Sequence, residues 1–526
     1  MEALSLVIVL GVTVLVGTTV GRRYSVAPPV LLILFGGLLA LAPPLAAVEL
    51  PPDAVLGLFL PAILYWESLN TSLREIRANL RVIVLSAVVL VVATMAAVAY
   101  TLQAVGVAAS AAWILGAVLA PTDASAVAGL AKRMPRRTVT TLRAESLIND
   151  GTALVLFAVA VGTLAGGSMP GPLELTGQLA WSCAGGVIAG LVVAGAIVLV
   201  RRRLDDPLRE GGLSIITPFA AFLLGEVLHA SGVVAVVVAG LILTQVSPRV
   251  IRARSRVQAF AFWDLGTFML NGSLFVLVGM QIPRAVRAID NTAVPRALGI
   301  ALLAAATVIV TRLLWVHAAT AVIRVVDRRA VQRTRRVGWK ARTANGWAGF
   351  RGAVSLAAAL AVPAVLPGGT PFADRDLIVF TTVVVIVVTM LVQGLTLPMV
   401  IRWAGLTDDD GRAEETLRAQ IEATQAGLAA LDDLGRELAT PQDMLDRVRA
   451  DYEDHLQQIL AKADVDSEAY RMELLERRLR LKVLHHKRRA VTAMRDAHTI
   501  DDIVLRDLQA AMDIEEVRLL GPAPSE

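Results

Sequence analysis

Long apolar runs separated by short polar breaks occupy most of the chain. From Leu4 to about Ile401 these runs follow one another, and a run of about 20 residues is long enough to cross the hydrocarbon of a bilayer. The apolar residues within each run are continuous and do not alternate with polar ones, which is typical of membrane helices and not of barrel strands. The pattern therefore predicts an all-α polytopic membrane protein.

The polar breaks divide this region into about thirteen predicted spans. Their centres lie near Val12, Leu34, Leu60, Val92, Leu119, Val155, Ile188, Phe222, Val238, Leu274, Val308, Leu356 and Val385. Basic residues are concentrated in alternate breaks, with Arg284, Arg287 and Arg296 as exceptions. The basic breaks are Arg22-Arg23, Arg74 to Arg81, Lys132 to Arg143, Arg201 to Arg209, Arg249 to Arg256 and Asp327 to Arg342. Because Lys and Arg favour the cytoplasmic side and the span number is odd, we expect an inner (plasma) membrane protein with its N-terminus outside and its C-terminus in the cytoplasm.

The composition agrees with this topology and indicates which partners the protein has. Hydrophobic residues make up 56% of the 526 residues and charged ones only 18%, which is far more apolar than a typical soluble domain. Arginines in the cytoplasmic breaks explain the formal net charge of +5, so we expect a lipid bilayer and no nucleic acid as partner. Cys183 is the only cysteine, so an intrachain disulfide is impossible.

The composition changes at about Leu406. From there to Glu526 the sequence is charged and helix-forming, and it contains no apolar run of membrane length. The sequence therefore predicts two domains, a transmembrane domain of residues 1–405 and a small α-helical soluble tail of residues 406–526. We expect the tail to be cytoplasmic and regulatory.

Ionisable residues inside the predicted spans are the first candidates for function, because each is costly in lipid unless it is paired or hydrated. The fifth span carries Pro121, Thr122 and Asp123 within the segment Ala120 to Ser125. Proline removes a backbone donor, so we expect a broken helix beside the acid. The freed carbonyls and the Thr122 hydroxyl would then join Asp123 as oxygen ligands of the kind that an alkali cation accepts in place of water.

The sixth span carries the segment Glu145-Ser146-Leu147-Ile148-Asn149-Asp150. Glu145 and Asn149 stand four residues apart, as do Ser146 and Asp150, so each pair shares a helix face. Asp123 lies about nine residues from the basic break and Asp150 about seven, so at about 1.5 Å per residue the two carboxylates reach similar depth. Because few cations are near, at least one of these acids is expected to be protonated or cation-bound at neutral pH.

Three further charges, Glu67, Arg312 and Arg351, also lie in predicted spans. Each needs a partner in lipid, and ion pairs that only hold helices together are the alternative to a transport role. A purely structural ion pair is the more direct explanation for Glu145, which would pair with an arginine. It explains Asp123 and Asp150 less well.

At these residues the membrane part resembles the monovalent cation:proton antiporter-1 family, the NhaP-type Na+/H+ exchangers of bacteria. The motifs that carry the resemblance extend over nearly all of the spans. They are Phe59-Leu60-Pro61-Ala62-Ile63-Leu64 with Glu67, Thr122-Asp123, Glu145 to Gly151, Val310-Thr311-Arg312, Phe350 to Leu356, and Gln393-Gly394-Leu395-Thr396-Leu397. One departure is Ala124, which stands where the family has a proline after the acid.

The resemblance implies a function and a set of site residues. It implies exchange of Na+ or K+ for H+ by a homodimer of the NhaA/NhaP-like fold, with inverted repeats, broken helices and a six-helix bundle that moves against an interface domain. The implied cation and proton site consists of Asp150, Asp123, Asn149, Thr122, Ser146 and Glu67, and Na+ or K+ would bind at Asp150 and Asp123. Glu145 would form a structural ion pair with Arg312, and Arg351 would be a second structural charge. Because Asn149 stands where the electrogenic branch has a second aspartate, the resemblance also implies electroneutral exchange.

Other functions remain to be weighed against this one. K+ is an alternative to Na+ as the physiological cation, and a membrane sensor or scaffold that signals through the tail is an alternative to transport. An intramembrane enzyme is not expected, because no His-Glu-x-x-His segment lies in a span and no serine has an evident histidine partner at membrane depth. The glycine-rich stretch at Gly185, Gly186 and Gly190 lacks the Lys-Ser/Thr of a phosphate loop, so we expect helix contacts there and no cofactor.

Overall fold

The fold was analysed in a computed structural model of the full-length chain. The structure describes residues 2–24, 26–46, 51–123, 134–165, 170–204, 206–289, 293–326, 338–366, 369–406, 411–461 and 468–520. Within these ranges the elements are helical, apart from one isolated bridge between Val365 and Pro371. The predicted all-α fold class is therefore confirmed. The chain divides into two compact units, Met1–Asp408 and Asp409–Glu526.

The membrane unit begins with eight described helices before residue 124. They are α1 (Glu2–Tyr24), α2 (Pro28–Leu39), α3 (Pro43–Ala46), α4 (Pro52–Ala54), α5 (Leu60–Leu69), α6 (Leu73–Val84), α7 (Leu90–Ala104) and α8 (Ala109–Leu119). One π-helical turn, Val55–Phe59, joins α4 to α5, and another, Leu85–Val89, joins α6 to α7.

Ten further helices complete the described part of this unit. They are α9 (Arg136–Gly162), α10 (Pro172–Arg201), α11 (Pro207–Val227), α12 (Gly232–Val250), α13 (Ala253–Ala288), α14 (Val294–Val326), α15 (Trp339–Trp347), α16 (Ala353–Leu360), α17 (Arg375–Val388) and α18 (Gly394–Ala404). A π-helical turn, Thr389–Gln393, makes α17 and α18 one continuous element.

Nine helical stretches of the described residues are long and apolar enough to cross a membrane. They contain nine of the thirteen predicted span centres. The other four centres, Leu34, Leu60, Leu119 and Leu356, fall in the shorter helices α2, α5, α8 and α16. At about 1.5 Å per residue, the twelve residues of α2 rise only about 18 Å, which is less than the hydrocarbon thickness.

Three basic segments are wholly or partly helical where the sequence predicted breaks, and the first, Arg22-Arg23, lies in the last turn of α1. Arg74 to Arg81 lies inside α6, whose first turn is capped by Ser72, with the Glu75 amide donating to the Ser72 hydroxyl at 3.3 Å. The prediction of a loop there was wrong because Ile76 and Ile83 are buried at helical spacing, which makes the segment amphipathic. Helix α9 likewise begins at Arg136, inside the predicted basic break, whereas residues 124–133 lie outside the described ones.

Small residues bring α10 against α12. A Cβ atom built on Gly186 would lie 2.7 Å from the Ser231 carbonyl oxygen, and one on Gly190 would lie 2.5 Å from the Ala235 carbonyl oxygen. Both distances are shorter than real Cβ contacts, so only glycine permits this approach of the two backbones. The glycine-rich stretch is therefore a helix contact, as predicted.

Two interruptions of helical structure lie close together and position the site. Helix α8 ends at Leu119, and the chain is non-helical through Asp123, which agrees with the break predicted at Pro121. Residues 348–352 form the second interruption, between α15 and α16. The Asp123 amide donates to the Phe350 carbonyl oxygen at 2.9 Å, which joins the two segments. Ala124 and Ser125 lie outside the described residues.

The tail unit contains four described helices, α19 (Gly411–Glu437), α20 (Gln442–Ala461), α21 (Glu468–Asp496) and α22 (Asp502–Leu520). Its own apolar side chains are buried among them, including Ile459, Leu484 and Met512. Arg488 of α21 bonds to Asp513 and Glu516 of α22, both at 2.6 Å. The tail is thus packed around a core of its own.

Candidate functional site

A small cavity lies where the two interruptions meet α5, α9 and α13. Its volume is about 50 Å³, which is enough for a water molecule or a desolvated ion. The residues that line it are Val55, Leu60, Ile63, Leu64, Glu67, Pro121, Thr122, Asp123, Ser146, Asp150, Asn271, Leu274, Gly352, Ala353, Val354 and Ser355.

Five of the six predicted binding residues contribute to this lining. Glu67, Asp123 and Asp150 supply carboxylates, while Thr122 and Ser146 supply hydroxyls. Asp150 is only 6% exposed. No described residue that lines the cavity is basic, and buried carboxylates favour a bound proton or cation.

Helix α9 holds Thr122 through two hydrogen bonds. The Asn149 side-chain amide donates to the Thr122 hydroxyl oxygen at 2.8 Å, and the Ser146 hydroxyl donates to the Thr122 carbonyl oxygen at 2.9 Å. Asn149 is buried and is not among the residues that line the cavity. The structure therefore places Asn149 behind Thr122, where its amide orients a cavity oxygen.

A glycine gives Asp123 its place in the cavity. A Cβ atom built on Gly352 would lie 1.9 Å from a carboxylate oxygen of Asp123 and 2.7 Å from the Asp123 Cβ. Real Cβ contacts are essentially never shorter than 3.0 Å, so a side chain at position 352 would occupy the space that the Asp123 side chain fills. The absence of a side chain at Gly352 is therefore required for this arrangement.

The two buried arginines have different partners. Arg312 donates from Nη1 to Glu145 Oε1 at 2.5 Å, and both side chains are almost fully buried. Arg351 donates from Nε to the Leu119 carbonyl oxygen at 3.0 Å and from Nη1 to the Gly349 carbonyl oxygen. Arg312 thus neutralises Glu145, and neither side chain lines the cavity. Arg351 bonds to backbone at the ends of both interruptions.

Two polar residues of the cavity had no role in the sequence prediction. Asn271 of α13 lies on the cavity wall, and so does Ser355 of α16, whose hydroxyl has no hydrogen-bond partner among the described residues. A signal for Asn271 was present, because it is a lone amide inside an apolar run and such residues mark functional sites in membrane helices. Ser355 lay inside a recognised motif, but its direction depends on the break before α16.

The cavity offers oxygen ligands, which suit a hard cation. Its lining residues carry carboxylate, hydroxyl, amide and backbone oxygens. Mixed oxygen ligands of this kind replace the hydration shell of an alkali ion.

Comparisons with known proteins relate the chain to a family. A family model described as sodium/hydrogen exchanger, transmembrane, matches residues 10–403. An uncharacterized Na+/H+ exchanger of Mycobacterium tuberculosis (strain H37Rv) is 54% identical over 527 residues, which cover 99% of this chain and 97% of that protein. The Na+/H+ antiporter ApNhaP of Aphanothece halophytica is 29% identical over 427 residues, which cover 80% of this chain and 78% of that protein.

A solved structure gives the fold independently. The sodium proton antiporter MjNhaP1 from Methanocaldococcus jannaschii superposes with a TM-score of 0.56 at 19% sequence identity. The match covers 75% of this chain and all of that chain. The predicted NhaP-like fold is therefore confirmed for the membrane unit.

Proposed function

The chain belongs to the sodium/hydrogen exchanger family and exchanges Na+ for H+ across the membrane, and we propose that the two ions compete for Asp150 and Asp123. The cavity carries this proposal, since it brings both carboxylates together with Glu67 and two hydroxyls in about 50 Å³. A buried site of this charge is stable with a proton or with a cation, and unstable with neither.

Exchange follows from a single rule in this scheme. The membrane unit changes the side of the membrane to which the site is open only when the site holds a proton or a dehydrated cation. Na+ released on one face is then replaced by H+ before the unit returns. This is alternating access around a fixed site.

The proposed exchange is electroneutral, one cation for one proton. Asn149 supports this stoichiometry, because its amide is neutral and donates to Thr122 where a second carboxylate would add a charge. The neighbouring acid Glu145 is already neutralised by Arg312. Asp150 is then the carboxylate of α9 that is available for exchange.

The topology and assembly complete the proposal. We propose an inner-membrane location with the N-terminus outside and the C-terminus in the cytoplasm, because the basic segments alternate along the chain. A homodimer is proposed from the family, with a six-helix bundle of each subunit moving against the interface domain. The tail of residues 406–526 would then lie in the cytoplasm as a regulatory domain.

The deciding experiment is dissipation of a pH gradient in proteoliposomes of the purified protein, with NaCl, KCl or LiCl added in turn. We expect Na+-dependent proton release that Asp150→Asn reduces to the background of empty vesicles. A matched control is Asp264→Asn, the same change at an exposed aspartate of α13 that does not line the cavity. The control should retain wild-type rates.

Each other outcome has a defined meaning. A larger response to KCl than to NaCl would make K+ the physiological cation. Normal exchange by Asp150→Asn would refute the competition scheme. An exchange rate that depends on an imposed membrane potential would refute electroneutrality. Absence of any response by the wild-type protein would favour a sensor or scaffold.

A further inference from the structure

A second pocket lies at one end of the membrane unit, away from the carboxylate cavity. It forms where α10 and α12 end and where α11 and α13 begin, and its volume is about 370 Å³. This volume is within the range of about 300 to 1,000 Å³ that is typical of small-molecule sites. The residues that line it are Arg201, Arg202, Leu204, Glu210, Arg249, Val250 and Arg252.

The lining is strongly basic. The described residues that line the pocket carry four guanidinium groups and one carboxylate, that of Glu210, a formal charge of +3. The arginines come from two segments that are far apart in sequence, one after α10 and one between α12 and α13. Their convergence on one cavity is a property of the fold and is not a basic run of the chain.

One of these arginines is buried, and no ion pair joins it to an acid of the part of the chain that the structure describes. Arg201 is only 5% exposed, and its Nε has no hydrogen-bond partner among the described residues. Its nearest polar neighbours include the hydroxyl of Tyr65, which is neutral and cannot balance the charge. A buried guanidinium in this condition is costly, and an anion in the pocket would offset that cost.

We propose that this pocket binds a phosphate group. The planar fork of arginine matches the geometry of phosphate oxygens, and several arginines around one cavity are the usual way in which proteins hold such a group. Two sources share this chemistry, the headgroup of an anionic phospholipid and free inorganic phosphate. The pocket lies at helix ends whose basic segments we place on the cytoplasmic side, where basic pockets between membrane helices bind anionic headgroups.

A substitution of Glu210 should change phosphate binding in the opposite direction to a substitution of an arginine. Its side chain is buried, and Oε2 has no hydrogen-bond partner among the described residues. A carboxylate on the pocket wall repels an anion. Replacing it by the neutral, similarly shaped glutamine should therefore strengthen phosphate binding, whereas loss of an arginine should weaken it.

The test is thermal unfolding of the full-length protein in detergent, with dioleoyl phosphatidylglycerol, inorganic phosphate or zwitterionic dioleoyl phosphatidylcholine added. We expect phosphatidylglycerol or inorganic phosphate to raise Tm by about 2 to 4 °C, and phosphatidylcholine to have no such effect. Stabilisation by phosphatidylglycerol alone would identify the headgroup as the source. Stabilisation by inorganic phosphate as well would identify the free anion as a sufficient ligand.

Two double variants distinguish binding in the pocket from nonspecific attraction of an anion to a basic surface. In Arg202→Gln/Arg249→Gln, both exposed arginines line the pocket, and the shift should be lost. In Arg203→Gln/Arg254→Gln, two exposed arginines nearby in sequence lie outside it, and the shift should persist. Glu210→Gln should increase the shift. No stabilisation by either phosphate source, or an equal loss in both double variants, would overturn the proposal.

Discussion

At the scale of single residues, the position of the cavity acids depends on neighbours that carry no charge. Asp123 lies in a non-helical segment, and its amide bonds to the Phe350 carbonyl oxygen across the second interruption. Gly352 leaves open the space into which the Asp123 side chain extends. Asp123 is thus positioned by local backbone geometry, whereas Asp150 is positioned by α9.

Gly352→Ala should displace Asp123 without preventing folding. The new Cβ would fall 1.9 Å from a carboxylate oxygen and 2.7 Å from the Asp123 Cβ, so the side chain must rotate and the non-helical segment must also shift. Because displacements of about 1 Å at a reacting centre are costly, we expect the apparent affinity for Na+ to fall by about tenfold or more. Initial rates of Na+-dependent proton release over a range of NaCl concentrations would measure it.

The matched control for this change is Gly57→Ala. Gly57 lies in the π-helical turn before α5, is exposed, and has nothing within 4 Å of its hypothetical Cβ. It should behave as the wild type. An unchanged Na+ dependence in Gly352→Ala would show that the position of Asp123 is not important for cation binding.

The sequence predicted which residues line the cavity better than it predicted the hydrogen bonds that hold them in place. Spacing on one helix placed Ser146 and Asp150 on a common face, and both do line the cavity. The bond from Asn149 to Thr122 could not be predicted, because it depends on how α9 lies against a non-helical segment 27 residues away in sequence. Contacts of that kind are set by tertiary packing and leave no periodic pattern.

At the scale of elements, α9 presents two polar faces with separate tasks. Ser146 and Asp150 face the cavity, while Glu145 faces Arg312 of α14. Removing one partner of a buried ion pair leaves the other charge uncompensated, at a cost of about 3 to 5 kcal/mol. The pair therefore fixes the rotation of α9, and with it the direction of Asp150.

This predicts a pattern for two single variants and their combination. Glu145→Gln and Arg312→Gln should each lower Tm and the yield of monodisperse protein, and the double variant should be less destabilised than either single variant. Thermal unfolding after detergent extraction would measure the effect. Glu414→Gln, which breaks an exposed pair with Arg418 in the tail, is a control that should change stability by about 1 kcal/mol or less.

The opposite pattern would assign a different role to the pair. If Glu145→Gln abolished exchange at unchanged Tm, Glu145 would belong to the transport site. If the single effects simply added in the double variant, the two side chains would not be coupled.

The elements themselves were predicted from apolar runs, and the described helices agree with them because burial in lipid requires continuous apolar residues. The interruption at Pro121 was predicted from proline chemistry. The interruption at residues 348–352 was not, since it contains no proline and is stabilised by a bond from Arg351 to the Leu119 carbonyl oxygen, which is distant in sequence. The helical nature of Arg74 to Arg81 was also missed, because charge density was taken as the sign of a loop.

At the scale of the whole molecule, the chain consists of two units with separate cores. Residues that line the carboxylate cavity all belong to Met1–Asp408. The tail, Asp409–Glu526, buries its own apolar side chains and has its own ion pairs between helices, such as Arg449 with Asp432. The machinery for exchange and the tail can therefore be separated by a cut between the units.

Deletion of residues 409–526 should leave a membrane unit that still exchanges Na+ for H+. Every carboxylate, hydroxyl and arginine of the proposed site remains in it, so the maximal rate should stay within about threefold of that of the full chain, a change of less than about 1 kcal/mol in the barrier. If the tail is regulatory, the dependence of the rate on pH or on Na+ concentration should shift. Dissipation of a pH gradient at several pH values, with both proteins reconstituted at equal density, measures both quantities. A truncated protein that stays monodisperse but has no exchange would show that the tail completes the transport machinery. A truncated protein whose rate depends on pH and on Na+ concentration as that of the full chain does would show that the tail does not regulate exchange.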